Sequence, residues 1–324
     1  MNNLQTNLVK IQNLTKKFKN LTAVNDLSLE INIGEIVGFL GPNGAGKSTT
    51  IAMLSTILKP TSGSIFFNGY NIIEEPNKAR EKIGVCPQET VFYDYLTISE
   101  NCEFFAKMHS KPASKEKVKE LVKELGLEEK LHVRASTLSG GMKRRLNVLL
   151  ALIMDPEIVF LDEPSAGLDP QASRITWDFI RNLRNQKKTV LVTTHNMREA
   201  EELCDRIYII DNGKIIAQGT PQEIKANIGD GEVFDFKLKI NDRNNGQNVI
   251  EELKEKFLQL GSYVKKVEIL GESRLLVVAT GGVQRLIEFE KIVPEGLHGL
   301  ANLTIRSQNL EDVFLLLTGR ELRE

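Results

Sequence analysis

The chain has 324 residues, 41% of them hydrophobic and 26% charged, a globular balance with room for one large or two ordinary domains. Lys and Arg number 42 against 43 Asp and Glu, so the formal net charge is −1, which gives no global attraction to nucleic acid or to an anionic membrane surface. No apolar run approaches the about 20 residues that span a bilayer, and the polar N-terminus lacks the apolar core of a secretion signal. The longest apolar run, residues 146–154, follows Lys143-Arg144-Arg145, a basic cluster that suits a solvated helix start. Cys86, Cys102 and Cys204 are scattered, odd in number and without metal-ligand spacing, so a reduced thiol set in a soluble cytoplasmic protein is expected.

Taken in chain order, the first part alternates short apolar runs with helical stretches. Runs at 35–40, 158–161 and 189–194 are bounded by turn residues and predict central strands of a mostly parallel sheet buried on both faces. The stretch 97–156 contains no convincing strand. Within it Val118, Leu121, Val122 and Leu125 recur at helical spacing before Gly126, which predicts a helical insertion in the α/β domain.

Past Gly229 the texture changes. Phe234, Phe236, Leu238 and Ile240 alternate with polar residues as in a half-buried strand, and Val249, Ile250, Leu253, Phe257 and Leu260 have helical spacing. Runs at 264–270 and 274–279 flank Gly271-Glu272-Ser273, a hairpin signal. Val283, Leu286 and Ile287 predict a helix, Leu303 and Ile305 a strand. The order βαββαβ is that of a ferredoxin-like α+β unit. A last helix is predicted to carry Leu310, Val313, Phe314 and Leu317 on one stripe. The expected boundaries are residues 1–228 for an α/β domain, with a helical subdomain at about 90–156, and 229–324 for an accessory domain.

Gly41-Pro42-Asn43-Gly44-Ala45-Gly46-Lys47-Ser48-Thr49 matches GxxxxGK[ST] between a predicted strand and a predicted helix. Glycines let the backbone curl so that successive N–H groups point at phosphate oxygens, and the helix N-terminus behind them adds donors and partial positive charge. Lys47 can reach the β- and γ-phosphates, and the Ser48 hydroxyl can ligate Mg²⁺. Asp162 and Glu163 end an apolar strand, where a parallel sheet opens onto its ligand crevice. Asp162 is expected to hold Mg²⁺, and Glu163 to orient and deprotonate the attacking water.

Leu138-Ser139-Gly140-Gly141-Met142 opens a helix ahead of these carboxylates. With the phosphate loop and the acidic strand, in that order, it makes residues 8–225 resemble the nucleotide-binding cassette of an ABC ATPase. The resemblance implies further roles. Phe18 falls where the family keeps an aromatic that stacks on adenine. Gln88 fits the loop that senses the metal and links the core to the helical insertion. Asp169, in Ser165-Ala166-Gly167-Leu168-Asp169, fits the loop that crosses the dimer interface. His195 fits the residue that contacts the γ-phosphate, while His109, His132 and His298 read as ordinary surface polar groups.

Ser139, Gly140 and Gly141 would complete the nucleotide pocket of a second copy, so a head-to-tail dimer on ATP and Mg²⁺ is implied. Met142 stands where the family more often has Gln. LSGGMKRRL and the C-terminal Glu311–Leu315 and Leu317–Arg320 segments resemble the drug-resistance branch of exporter ATPases, separate subunits that pair with a polytopic permease at the inner face of the cell membrane. The segment 93–108, with Phe92, Tyr93, Tyr95, Phe104 and Phe105, is the candidate for docking that permease. A second reading is a soluble non-transport ABC ATPase acting on a macromolecular partner such as the ribosome, DNA ends or a cluster-assembly scaffold. The single cassette, the lack of a long coiled coil and the near-neutral charge weigh against it.

Overall fold

The structure is a computed structural model that describes residues 7–108, 113–227, 229–239, 243–293 and 300–319. Ile240, His109 and His298, among the residues singled out above, lie outside the described residues, as does Arg320. The chain divides into two compact units between Gln218 and Gly219.

The first unit carries two sheets. One is antiparallel, ordered Leu21–Asn32, Asn7–Phe18, Ser62–Phe67 and Tyr70–Asn71. The other has six strands, ordered Lys214–Gly219, Arg206–Asp211, Ile36–Leu40, Thr189–Thr194, Ile158–Asp162 and Ile83–Cys86. The five strands from Arg206–Asp211 to Ile83–Cys86 run parallel. Every residue of Ile36–Leu40, Ile158–Asp162 and Thr189–Thr194 is buried, which is why these strands read as unbroken apolar runs rather than alternating ones.

Helices connect these strands and form the insertion. Ile98–Lys107 starts in a capping box in which Thr97 and Glu100 satisfy each other's backbone N–H. Lys115–Glu124 follows Ser114 as N-cap and stops where Gly126 adopts φ +61°. Between residues 97 and 156 the only pairing among the described residues is an isolated bridge from Thr97 to Arg134. The Pro170–Asn185 helix, capped by Asp169 and begun by Pro170, buries Ala172, Thr176, Trp177, Phe179, Ile180 and Leu183. No helix among the described residues is long and apolar enough to cross a membrane.

One expectation is corrected here. Helix Gly140–Leu152 does not begin with a solvated basic cluster, because Arg144 and Arg145 are 8% and 7% exposed. Their N–H groups are taken up by backbone carbonyls, so burial leaves no donor stranded.

The second unit has an antiparallel sheet ordered Val264–Leu270, Arg274–Ala279, Glu232–Leu238 and Leu300–Ser307. Helices Arg243–Leu258 and Leu286–Glu290 fall between the strands in the order βαββαβ. Phe234, Phe236, Phe257 and Phe289 meet in its core, with Phe289 edge-on to Phe234 at 4.8 Å and to Phe257 at 5.0 Å. Helix Leu310–Thr318 buries Leu310, Val313, Phe314, Leu315 and Leu316, whereas Leu317 is 46% exposed and leaves the expected stripe. Asp312, fully buried, accepts from Arg306 at 2.5 and 2.6 Å, a two-point ion pair that fixes the start of this helix.

Candidate active site

Four neighbouring parallel strands end on one side of the six-stranded sheet, and each delivers one part of the site. Cys86 is followed by Pro87 and Gln88, Asp162 by Glu163, Thr194 by His195, and Leu40 by the glycine loop. The register sets Cys86 against Leu161, Asp162 against Thr193 and Leu40 against Thr194, so the four ends are level. Such a row of carboxyl ends is where open α/β sheets hold their ligands.

The loop is shaped by close backbone approach. A Cβ on Gly41 would lie 2.1 Å from the Ile210 carbonyl oxygen, and one on Gly46 2.4 Å from that of Ala23. Gly46 also holds φ +102° as the N-cap of helix Lys47–Leu54, and no side chain caps that helix. The helix therefore presents first-turn N–H groups and positive dipole to an incoming anion. Pro42 and Thr49 are half-buried, Asn43, Gly44 and Ser48 are exposed, and Ala45 is buried.

Lys47, 5% exposed, bends back to donate to the carbonyls of Gly41 at 2.7 Å and Pro42 at 3.1 Å. Burial holds its ammonium below the ordinary lysine value, opposed by the charges of Glu163 and Asp162. Its Nζ stands 3.8 Å from Glu163 Oε1, and His195 Nδ1 stands 3.0 Å from that same oxygen. The buried Asp162 carboxylate accepts from the Thr193 hydroxyl, which in turn accepts the Glu163 N–H at 3.0 Å. Glu163 itself sits at φ +51°, a left-handed conformation that is uncommon for a side chain of its size.

The structure thus gathers Lys47, Asp162, Glu163 and His195, with Gln88 at the neighbouring strand end. The other expected residues make local contacts instead. Ser139 caps helix Gly140–Leu152 by accepting from the Met142 N–H at 3.3 Å, and Ser139 and Gly140 are exposed. Nothing lies within 4 Å of a Cβ placed on Gly140, while one on Gly141 would touch Ala172 at 3.3 Å. Asp169 accepts from the Gln171 and Ala172 N–H groups at 2.9 and 2.8 Å. Phe18, 43% exposed at a strand end, has the Lys16 ammonium 5.0 Å from its ring centroid.

Three groups at the site have no forecast in the sequence reading. Arg144 reaches the carbonyls of Pro87, Gln88, Asp162, Glu163 and Pro164. Thr193 bridges the two carboxylate residues as described. Glu199, 2% exposed, accepts from the Ser165 hydroxyl and from Trp177 Nε1 at 3.1 Å, and burial raises its carboxyl above the ordinary range. The signal for Arg144 was its place two residues ahead of the apolar run 146–154, a stretch of the helix that is buried as far as residue 153.

A family model described as "ABC transporter" matches residues 24–166. The chain is 37% identical over 327 residues to the Nod factor export ATP-binding protein I of Ralstonia nicotianae, an alignment covering 98% of this chain and 96% of that one. It is 35% identical over 324 residues to the linearmycin resistance ATP-binding protein LnrL of Bacillus subtilis, covering 98% and 100%. Among solved structures, an ATP-binding subunit of an ABC transporter superposes with a TM-score of 0.62 at 29% identity, covering 68% of this chain and 93% of that one. An ATP-binding cassette solved as a dimer in a post-hydrolysis state with ADP and Pi gives 0.60 at 29% identity, covering 65% and 98%. A phosphate loop, an acidic strand end and a histidine strand end on one parallel sheet define a P-loop nucleoside triphosphatase. The chain belongs to the ATP-binding subunits of ABC transporters.

Proposed function

We propose that two copies of this chain close on two ATP molecules, each between the phosphate loop of one copy and Ser139, Gly140 and Gly141 of the other, and that the cycle drives export through a separate membrane permease. The observation that carries this reading is the meeting of Lys47, Glu163 and His195 beside an uncapped helix N-terminus. Phosphate fits this place: the helix dipole and N–H groups attract it, and the Lys47 ammonium, held by two carbonyls only 2.7 and 3.1 Å away, is free to exchange them for phosphate oxygens.

In the catalytic step Glu163 orients a water in line with the γ-phosphate and accepts its proton. His195 positions the γ-phosphate, and Lys47 offsets the charge that develops on its oxygens. Phe18 stacks on adenine, Asp169 lies at the interface of the copies, and the loop from Gly41 to Thr49 wraps the phosphates. Ser48, Asp162 and Gln88 offer a hydroxyl, a carboxylate and an amide, hard oxygen donors of the kind Mg²⁺ takes when phosphates and water complete its shell. The ion would neutralise phosphate charge.

Tyr93, Tyr95, Phe104 and Met108 are exposed and make the permease-docking face, from which Phe92 is excluded by its burial. Residues 1–228 form the motor, positioned at the cytoplasmic face through the permease, and 229–324 an accessory domain that stabilises or regulates the dimer. Export is supported by the relatives whose names refer to Nod factor export and linearmycin resistance. The deciding experiment is affinity purification of the tagged Glu163→Gln protein from detergent-solubilised native membranes with ATP present. Mass spectrometry should find a polytopic membrane protein with it. Recovery of only soluble partners, or of ribosomes, would overturn the transport reading in favour of a non-transport ATPase.

A further inference from the structure

Arginine has five N–H donors in a rigid planar fork, and a buried guanidinium is stable only if they are met. Around Arg144 they are met without any carboxylate. Nε donates to the Pro164 carbonyl at 3.3 Å, Nη1 to those of Pro87 and Gln88 at 2.7 and 3.1 Å, and Nη2 to those of Asp162 and Glu163, the latter at 3.0 Å. Two strand ends are thus tied to one side chain of a third element, the Gly140–Leu152 helix. The remaining polar atom of the Glu163 backbone is held from the other side, its N–H donating to the Thr193 hydroxyl and carbonyl at 3.0 and 3.1 Å. A residue at φ +51° with both its N–H and its carbonyl fixed cannot relax to an extended conformation and swing its side chain away.

We infer that Arg144 is a positioning residue for hydrolysis: by holding the carbonyls of Asp162, Glu163 and Gln88 together, it fixes the Glu163 carboxylate where it meets water and keeps Gln88 in register with it. This rests on the assignment of Glu163 as the base. Arg145 is an internal contrast, for it is as buried but donates to the Leu125 and Gly141 carbonyls, away from the strand ends.

The test is Arg144→Lys, with Arg144→Gln beside it, in the full-length chain. An ammonium has three donors radiating from one atom and cannot span carbonyls on two strand ends, so charge alone should not rescue. The expected result is a kcat about tenfold to a hundredfold lower with KM and ATP affinity within about threefold of wild type. In single-turnover assays at enzyme excess, Arg144→Lys added to Glu163→Gln should cost no more than Glu163→Gln alone, because both act through one group. A kcat within twofold of wild type, full additivity with Glu163→Gln, or loss of folded protein in both variants would overturn the inference; the last would make the guanidinium a structural clamp. Wild-type turnover in Glu163→Gln itself would instead remove the base assignment on which the inference rests.

Discussion

His195 Nδ1 lies 3.0 Å from Glu163 Oε1, a contact between the residues that immediately follow two adjacent strands whose ends the parallel register brings level. The Glu163 carboxylate is thus flanked by two side chains, the His195 ring on the adjacent strand end and the Lys47 ammonium 3.8 Å away.

Glu163→Gln keeps the shape and the hydrogen-bonding oxygen but removes the carboxylate proposed as the base. ATP binding should persist while turnover falls about a hundredfold to ten-thousandfold. Sedimentation with ATP should show a stable dimer that disperses when the nucleotide is removed.

Lys47→Ala deletes the buried ammonium beside the loop. A charge-assisted hydrogen bond to phosphate contributes about 1.5–3 kcal/mol, so the Kd for ATP should rise about tenfold to a hundredfold. Titration calorimetry reads it directly, and an unchanged Kd would take Lys47 out of phosphate binding.

Glu199 gives a pH prediction. Burial raises its folded-state pKa above the unfolded value, so the folded chain keeps this proton to higher pH than the unfolded chain does. Stability from that difference is full at low pH and is lost as pH rises from the ordinary carboxylate value through the folded one. Glu199→Gln keeps an acceptor for Trp177 and Ser165 and cannot ionise. Its melting temperature relative to wild type should therefore be more favourable at pH 8 than at pH 5, and a difference flat with pH would mean the carboxyl does not titrate.

Phe289→Ala removes the ring at the centre of the aromatic cluster of the second unit, where no part of it is exposed. Loss of burial and the cavity left behind should cost about 3–5 kcal/mol. Urea denaturation followed by far-UV circular dichroism would show it as a lower midpoint for the transition that includes this unit.

Much of the site is legible from sequence because its chemistry is concentrated in runs whose residue types admit few readings. The loop from Gly41 to Thr49 needs glycine where the backbone touches Ile210 and Ala23, and Asp162-Glu163 closes an apolar run that only a two-sided buried strand explains. Arg144 and Arg145 read wrongly for the converse reason. Three adjacent basic residues look solvated, but Arg144 and Arg145 find carbonyl acceptors in segments far away in the chain, and a carbonyl has no letter in a sequence. Thr193 was hidden likewise in a strand read from its apolar centre, Val190-Leu191-Val192, and Leu317 was assigned to a face by spacing although the helix buries Leu315 and Leu316 instead.

The left-handed backbone of Glu163 sets stability and activity against each other at a single codon. Glycine would occupy φ +51° without steric cost and should return about 1 kcal/mol of strain, while removing the carboxylate proposed as the base. Any selection of this protein for thermal resistance or expression alone would thus drift toward an inert cassette at that position, and only a selection that demands turnover retains the acid.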